Sequence, residues 1–327
     1  MTWEEWKVVR KQLRRSMGVP GWSLLVYYGI LNVAVIYWML VETAYGMIPH
    51  IIKGRFYAFE QELAKAAESG WGYFLAAAVG FLILLLWKKP AYLRQEIFAR
   101  GRRMNFRSFL GILCVFLGGQ LVAQLVTVGL ELLLNVLGLT ITEGLEALST
   151  DPDNISIVLY GSLLAPVAEE LLFRGLVMRS LMPYGKRLAI FLSALTFGLF
   201  HGNLIQTPFA FLVGLVLGYV ASEYSVIWAM VLHMINNLVM GEMLTRLTMD
   251  MPVELANGII WLIFLFFGIA ALIILIKNRL AIREWKRTDP IHKVYLNCYF
   301  TGWGNLAFLA VMLVSMISSL FYMITPL

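Results

Sequence analysis

The chain has 327 residues, 60% of them hydrophobic and 14% charged, with a formal net charge of +6. A soluble domain carries about 25% charged residues, so this composition excludes a water-soluble globular protein and predicts an all-α polytopic membrane protein. The basic excess does not indicate a nucleic-acid binder, because the lysines and arginines sit in short stretches beside apolar runs, where cytosolic loops of membrane proteins collect them.

Residues 1–21 place Trp3, Trp6, Val9 and Leu13 near one helical face, with Lys7, Arg10, Lys11, Arg14 and Arg15 close by. This segment reads as a basic interfacial helix on an anionic leaflet, or as a charged stop that orients the first span. No cleavable signal is expected, since the apolar run from Trp22 is too long and lacks a small-residue cleavage site. About nine transmembrane helices follow, near 22–47, 71–87, 107–139, 155–182, 188–206, 209–222, 226–247, 258–276 and 297–325. The third and fourth exceed the ~20 residues that cross a bilayer and should tilt or protrude. The sixth is short, and Gly202 and Pro208 before it suggest a bent connection. Cys114 and Cys298 both fall in apolar runs, as small buried hydrophobes rather than a disulfide or metal set.

Orientation follows from counting. With the N-terminus cytosolic, the inner segments 1–21, 88–107, 179–187 and 277–293 hold 21 Lys and Arg. The outer segments hold four, Lys53, Arg55, Lys65 and Arg246, and Arg174 alone lies inside a span. The outer loop 140–154 carries Glu143, Glu146, Asp151 and Asp153 and no base. Nine spans with the N-terminus inside satisfy this bias. Four regions result: the interfacial helix 1–21, peripheral spans 22–154, a catalytic core 155–247, and C-terminal spans 248–327.

Polar intramembrane residues concentrate in that core. The stretch "APVAEELLFRG" puts two glutamates and an arginine where a charge costs roughly 2.5–3.5 kcal/mol. Glu170 and Arg174 are i, i+4 on one face, acid first, the better orientation for a pair. Glu169 lies about 100° around the helix with no base at i+3 or i+4, and is free for chemistry. Phe197 and His201 are i, i+4 in the fifth span; His233 and Asn237 are i, i+4 in the seventh. At 1.5 Å per residue, Glu169 and His201 lie roughly 20 Å into their spans, His233 roughly 10 Å and Asn237 roughly 16 Å from the inner boundary. All four could line one cavity reached from the cytosol. Asn236 reads as a packing hydrogen-bonder, and Gly214 and Gly218 as a close-packing G-x-x-x-G.

A carboxylate, two imidazoles and an amide, with no serine or cysteine nucleophile at matching depth, suit water activation. Glutamate takes a proton from water, and a histidine with the asparagine amide donates to a developing oxyanion. Together these describe peptide-bond hydrolysis.

Three motifs in order, Glu169-Glu170-x-x-x-Arg174, Phe197-x-x-x-His201 and His233-x-x-x-Asn237, resemble the CAAX protease and bacteriocin-processing family of intramembrane endopeptidases, which includes the type II CAAX prenyl proteases. The resemblance covers about residues 155 to 245. It implies a chamber open to the cytosol, with Glu169 and His201 activating water, His233 and Asn237 forming the oxyanion site, and Glu170 and Arg174 in support. It also implies a peptide or protein substrate, lipidated or leader-containing, cut near its C-terminus or leader junction, in a multi-pass protein of the bacterial cell membrane.

Three other readings compete. A zinc protease with His201, His233 and Glu169 as ligands has suitable residue types but lacks H-E-x-x-H spacing, so no cofactor is expected. A non-catalytic immunity or binding scaffold could keep the same pocket. A transporter would use intramembrane acids, yet a proton path gives no reason for the histidine–asparagine pair.

Overall fold

Without water to serve exposed backbone groups, a segment in hydrocarbon satisfies them internally and becomes a helix. The computed structural model describes residues 2–55, 58–99, 101–142, 144 and 154–327, apart from the side chains of residues 89 and 90. It is helical almost throughout: α1 (Trp3–Met17), α2 (Val19–Ile52), α3 (Phe59–Ala67), α4 (Trp71–Tyr92), α5 (Phe106–Val136), α6 (Ile155–Tyr184), α7 (Lys186–Phe200), α8 (Gln206–Glu223), α9 (Val226–Thr248), α10 (Val253–Lys277), α11 (Arg279–Thr288), α12 (Lys293–Phe300) and α13 (Trp303–Met323). A two-residue antiparallel pairing, Leu139 with Pro326 and Thr140 with Thr325, is an exception. The acids expected in the 140–154 loop, Glu143, Glu146, Asp151 and Asp153, lie outside the described residues.

Among the described residues, seven helices are long and apolar enough to cross a membrane. The spans expected at 188–206 and 209–222 correspond to α7 and α8, which have 15 and 18 residues and fall short of the ~20 that cross a bilayer upright. α7 ends early because Gly202 adopts a left-handed φ of 66°, and the chain turns back within a few residues. The two helices form an antiparallel hairpin closed by small residues. A Cβ on Gly214 would lie 3.1 Å from Ala194 Cα, and one on Gly218 would lie 3.0 Å from Ile190 Cγ2. Small residues permit this approach where lipid supplies no hydrophobic drive between helices.

α1 begins with a reciprocal cap, Thr2 and Glu5 each serving the other's backbone N–H. The N- and C-terminal helices are then fastened at a buried asparagine, beside bonds from Arg10 to Asn297 and from Arg14 to Thr301 O. Asn305, fully buried in α13, accepts from Gly21 N at 2.9 Å and donates to Met17 O and Tyr299 O at 2.8 Å each. The core lies on α6 to α9, where Phe173, Phe197, Leu217, Val220 and Leu232 are buried against one another.

Candidate active site

α6 and α9 are not regular. α6 passes through π-helical turns at Tyr160–Leu164 and Leu171–Met178, on either side of Glu169 and Glu170; α9 does so at Asn236–Met243. A π turn shifts the backbone bonds to i→i+5, widens the helix, and is frequent at functional sites. Carbonyls along these turns receive side-chain donors from neighbouring helices. Ser193 Oγ donates to Phe173 O at 2.9 Å, the Tyr92 hydroxyl to Gly175 O at 3.1 Å, and Asn237 Nδ2 to Gly161 O at 2.8 Å.

The two glutamates have different surroundings. Glu170 is completely buried, with Oε1 3.0 Å from Arg174 Nη1 and 3.1 Å from His233 Nδ1. Arg174 is equally buried; the Nη1 contact is a charge pair off hydrogen-bond alignment, and its hydrogen bond runs from Nη2 to Gly214 O at 3.1 Å. Gly214 therefore packs against α7 and supplies an acceptor to the arginine. Glu169 keeps 22% of its side chain exposed and approaches His233 Nε2 at 3.6 Å. Its ion pair among the described residues is to His233, not His201.

Phe197 is the pivot of the cluster. The Arg174 guanidinium lies over its ring at 4.5 Å, and His201 and His233 meet it edge-on at 5.0 and 5.6 Å between centroids. A cation over an aromatic face is attracted by the ring quadrupole. His201 caps the end of α7 and engages Phe197 O through Nδ1 at 2.9 Å, and its Nε2 makes no hydrogen bond among the described residues. Phe197 thus joins the arginine to both imidazoles.

The six residues singled out in the sequence fall into two connected sets. Glu169, Glu170, Arg174 and His233 touch through ion pairs, and His201 joins them through the Phe197 ring. Asn237 engages Gly161 and accepts from Asn236 Nδ2 at 3.1 Å, and Asn236 Oδ1 accepts from Gln120 Nε2 of α5 at 3.0 Å. Glu170 is tied to the histidine of another helix as well as to its own-helix arginine, a contact that i, i+4 reasoning could not reveal. Gln120 was also missed, an amide in an apolar run being the available signal for it; Gly214 was read as a packing residue, but its carbonyl's role as the acceptor from Arg174 was not foreseen. Among the described residues, no group of three or more His, Cys, Asp or Glu is placed to hold a metal ion.

Helices long enough to span a bilayer, around a buried cluster of acids and imidazoles, make a polytopic membrane protein with an intramembrane polar site. Residues 151–239 match one family model, described as type II CAAX prenyl endopeptidase Rce1-like, which covers all three motifs. That family is one of CAAX endopeptidases, hydrolases of the membrane, and the matched segment is about a quarter of the chain. No curated protein and no solved structure matches the chain.

Proposed function

We propose that the protein is an intramembrane endopeptidase in which Glu169 activates the attacking water. The observation that carries this reading is the division of labour between adjacent acids: Glu170 is sealed between Arg174 and His233, whereas Glu169 is partly exposed and faces the same imidazole. Glu169 takes a proton from water as the water oxygen attacks the scissile carbonyl. The tetrahedral intermediate carries an oxyanion, and Glu169 returns the proton to the leaving nitrogen as the C–N bond breaks. His201, whose Nδ1 is engaged by Phe197 O, holds the water through Nε2. His233 and Asn237 supply donors to the oxyanion. With Nδ1 held at Glu170 Oε1, His233 presents Nε2 toward the cleaved bond. Glu170 and Arg174 fix the position of that ring.

The substrate in this reading is a peptide or protein with a lipid chain near the cleaved bond. A cavity of about 380 Å³ between α2, α4 and α6 supports it, lined by Trp22, Tyr27, Phe81 and Trp87 and, on the helix of Glu169, by Ala168 and Leu172. An apolar cavity beside the general base accommodates a lipid chain while its peptide enters the polar site. The 21-to-4 basic bias supports a cytosolic N-terminus and entry from the cytosolic side.

Cleavage of an internally quenched farnesylated CAAX peptide by wild type and Glu169→Gln in detergent or vesicles tests the proposal. A large loss with Glu169→Gln supports it; cleavage at the wild-type rate removes Glu169 from the role. Cleavage of the unlipidated peptide with equal kcat/KM would discard the lipid requirement alone.

A further inference from the structure

Gln120 lies in α5, outside the segment matched by the family model. It sits about 21 Å along the helix from Phe106 at 1.5 Å per residue, deep enough that an unpaired amide is costly. Its Nε2 donates to Asn236 Oδ1 at 3.0 Å, Asn236 Nδ2 donates to Asn237 Oδ1 at 3.1 Å, and Asn237 Nδ2 donates to Gly161 O at 2.8 Å.

The chain has a direction, and Gly161 imposes it. A backbone carbonyl only accepts, so Asn237 must turn its NH2 toward α6. Its Oδ1 then faces Asn236, which must present its own NH2. That leaves Asn236 Oδ1 pointing to α5, where it needs a donor, and Gln120 supplies one. An amide carries two N–H groups, so Asn237 gives one to Gly161 and retains a second.

We infer that Gln120 is a positioning residue for hydrolysis: through Asn236 it holds the Asn237 amide in the orientation that keeps its second N–H available to the oxyanion. The inference rests on the reading of Asn237 as an oxyanion donor. Without Gln120, Asn236 Oδ1 is buried with no donor, and no bond from α5 holds the Asn236 amide in place. Its grip on Asn237 Oδ1 then loosens, and the Asn237 amide is no longer fixed on Gly161.

The test measures kcat and KM on the farnesylated CAAX peptide for Gln120→Leu, Gln120→Glu, Asn237→Ala and the Gln120→Leu/Asn237→Ala double variant. Gln120→Leu keeps the helix apolar but strands Asn236 Oδ1, so it should melt somewhat below wild type and still fold. Its kcat is expected to fall on the order of tenfold, as when an outer hydrogen bond that orients a working group is lost, with KM unchanged. The double variant should be no slower than Asn237→Ala, since both act through one amide. Gln120→Glu separates orientation from packing: ionised it can only accept, and protonated it donates again, so its activity relative to wild type should recover as pH falls. A wild-type kcat for Gln120→Leu, or its full factor added to that of Asn237→Ala, overturns the inference. So does a Gln120→Glu pH profile parallel to wild type, which remains measurable if Gln120→Leu fails to fold. Full activity in Asn237→Ala would instead strike the oxyanion reading itself.

Discussion

His233 Nδ1 stands 3.1 Å from Glu170 Oε1, so the imidazole of α9 is held by the acid that Arg174 neutralises on α6. This contact sets the ring against two adjacent carboxylates at once, Glu170 at one nitrogen and Glu169 at the other. It also makes Glu170 a link between two helices, which separates the expected effects of the neighbouring acids.

Glu169→Gln keeps the size and much of the hydrogen bonding of the side chain but cannot take a proton. Turnover of the lipidated peptide should fall at least ~10²-fold, with the melting temperature nearly unchanged because this side chain is partly exposed.

Arg174→Ala should act first on stability. It leaves Glu170 charged and buried, and breaking a buried pair costs roughly 3–5 kcal/mol; loss of the cation over Phe197 adds to this. A clear drop in melting temperature, with activity loss that follows the unfolded fraction, is the expected pattern. Melting equal to that of Glu169→Gln would contradict the buttress.

A pH effect is expected away from the site, at α3. Glu62 Oε1 accepts from Lys65 Nζ at 2.7 Å and lies 3.4 Å from His50 Nε2. The lysine bond, then the nearby positive charges, hold its carboxyl below the ordinary value of 4.5. A carboxyl whose pKa is lowered by folding stabilises the fold above its unfolded value, and this contribution is lost as pH falls through the folded one. Wild type should therefore melt higher than Glu62→Gln at pH 7, and the gap should close below about pH 4.5. A gap that persists in acid would show that something other than ionisation maintains it.

Chelation tests the metal alternative. If water is activated by Glu169 alone, peptide cleavage by the purified enzyme should survive 1,10-phenanthroline and exhaustive dialysis against EDTA. Loss of activity restored by added zinc would return His201, His233 and Glu169 to a ligand role.

Topology is checked with single cysteines at exposed positions in a background lacking Cys114 and Cys298. Leu280→Cys on α11, where the leucine is 68% exposed, should be labelled by a charged thiol reagent only from the cytosolic side. Lys53→Cys, after α2, should be labelled only from the other side. The reverse pattern would invert the orientation and with it the expected origin of substrates.

Hydropathy made the long helices legible, because an apolar run of bilayer length has few other solutions. The three motifs were legible for a related reason: a charge or imidazole in such a run demands a partner. What the partners are was only half readable. Glu170 and Arg174 share a helix, so spacing reveals them, but the Glu170–His233 contact joins residues 63 apart and depends on how α6 and α9 pack. The π turns were hidden too, since they answer to donors from other helices, such as Ser193 and Tyr92, rather than to a local pattern. Gln120 was passed over because one amide in a long apolar run says nothing of where it points.

The Asn305 fastening bears on how the chain is made. Gly21 and Asn305 are 284 residues apart, and at roughly 5–20 residues per second the ribosome completes every other span before α13 emerges. Until then the junction of α1 and α2 waits in the bilayer without its partner, with the Met17 carbonyl unmet by the asparagine. The junction of α1 and α2 is therefore locked only after α13 has followed it, and a nascent chain arrested before Asn305 should expose residues 17–21 to protease that the fastened junction resists.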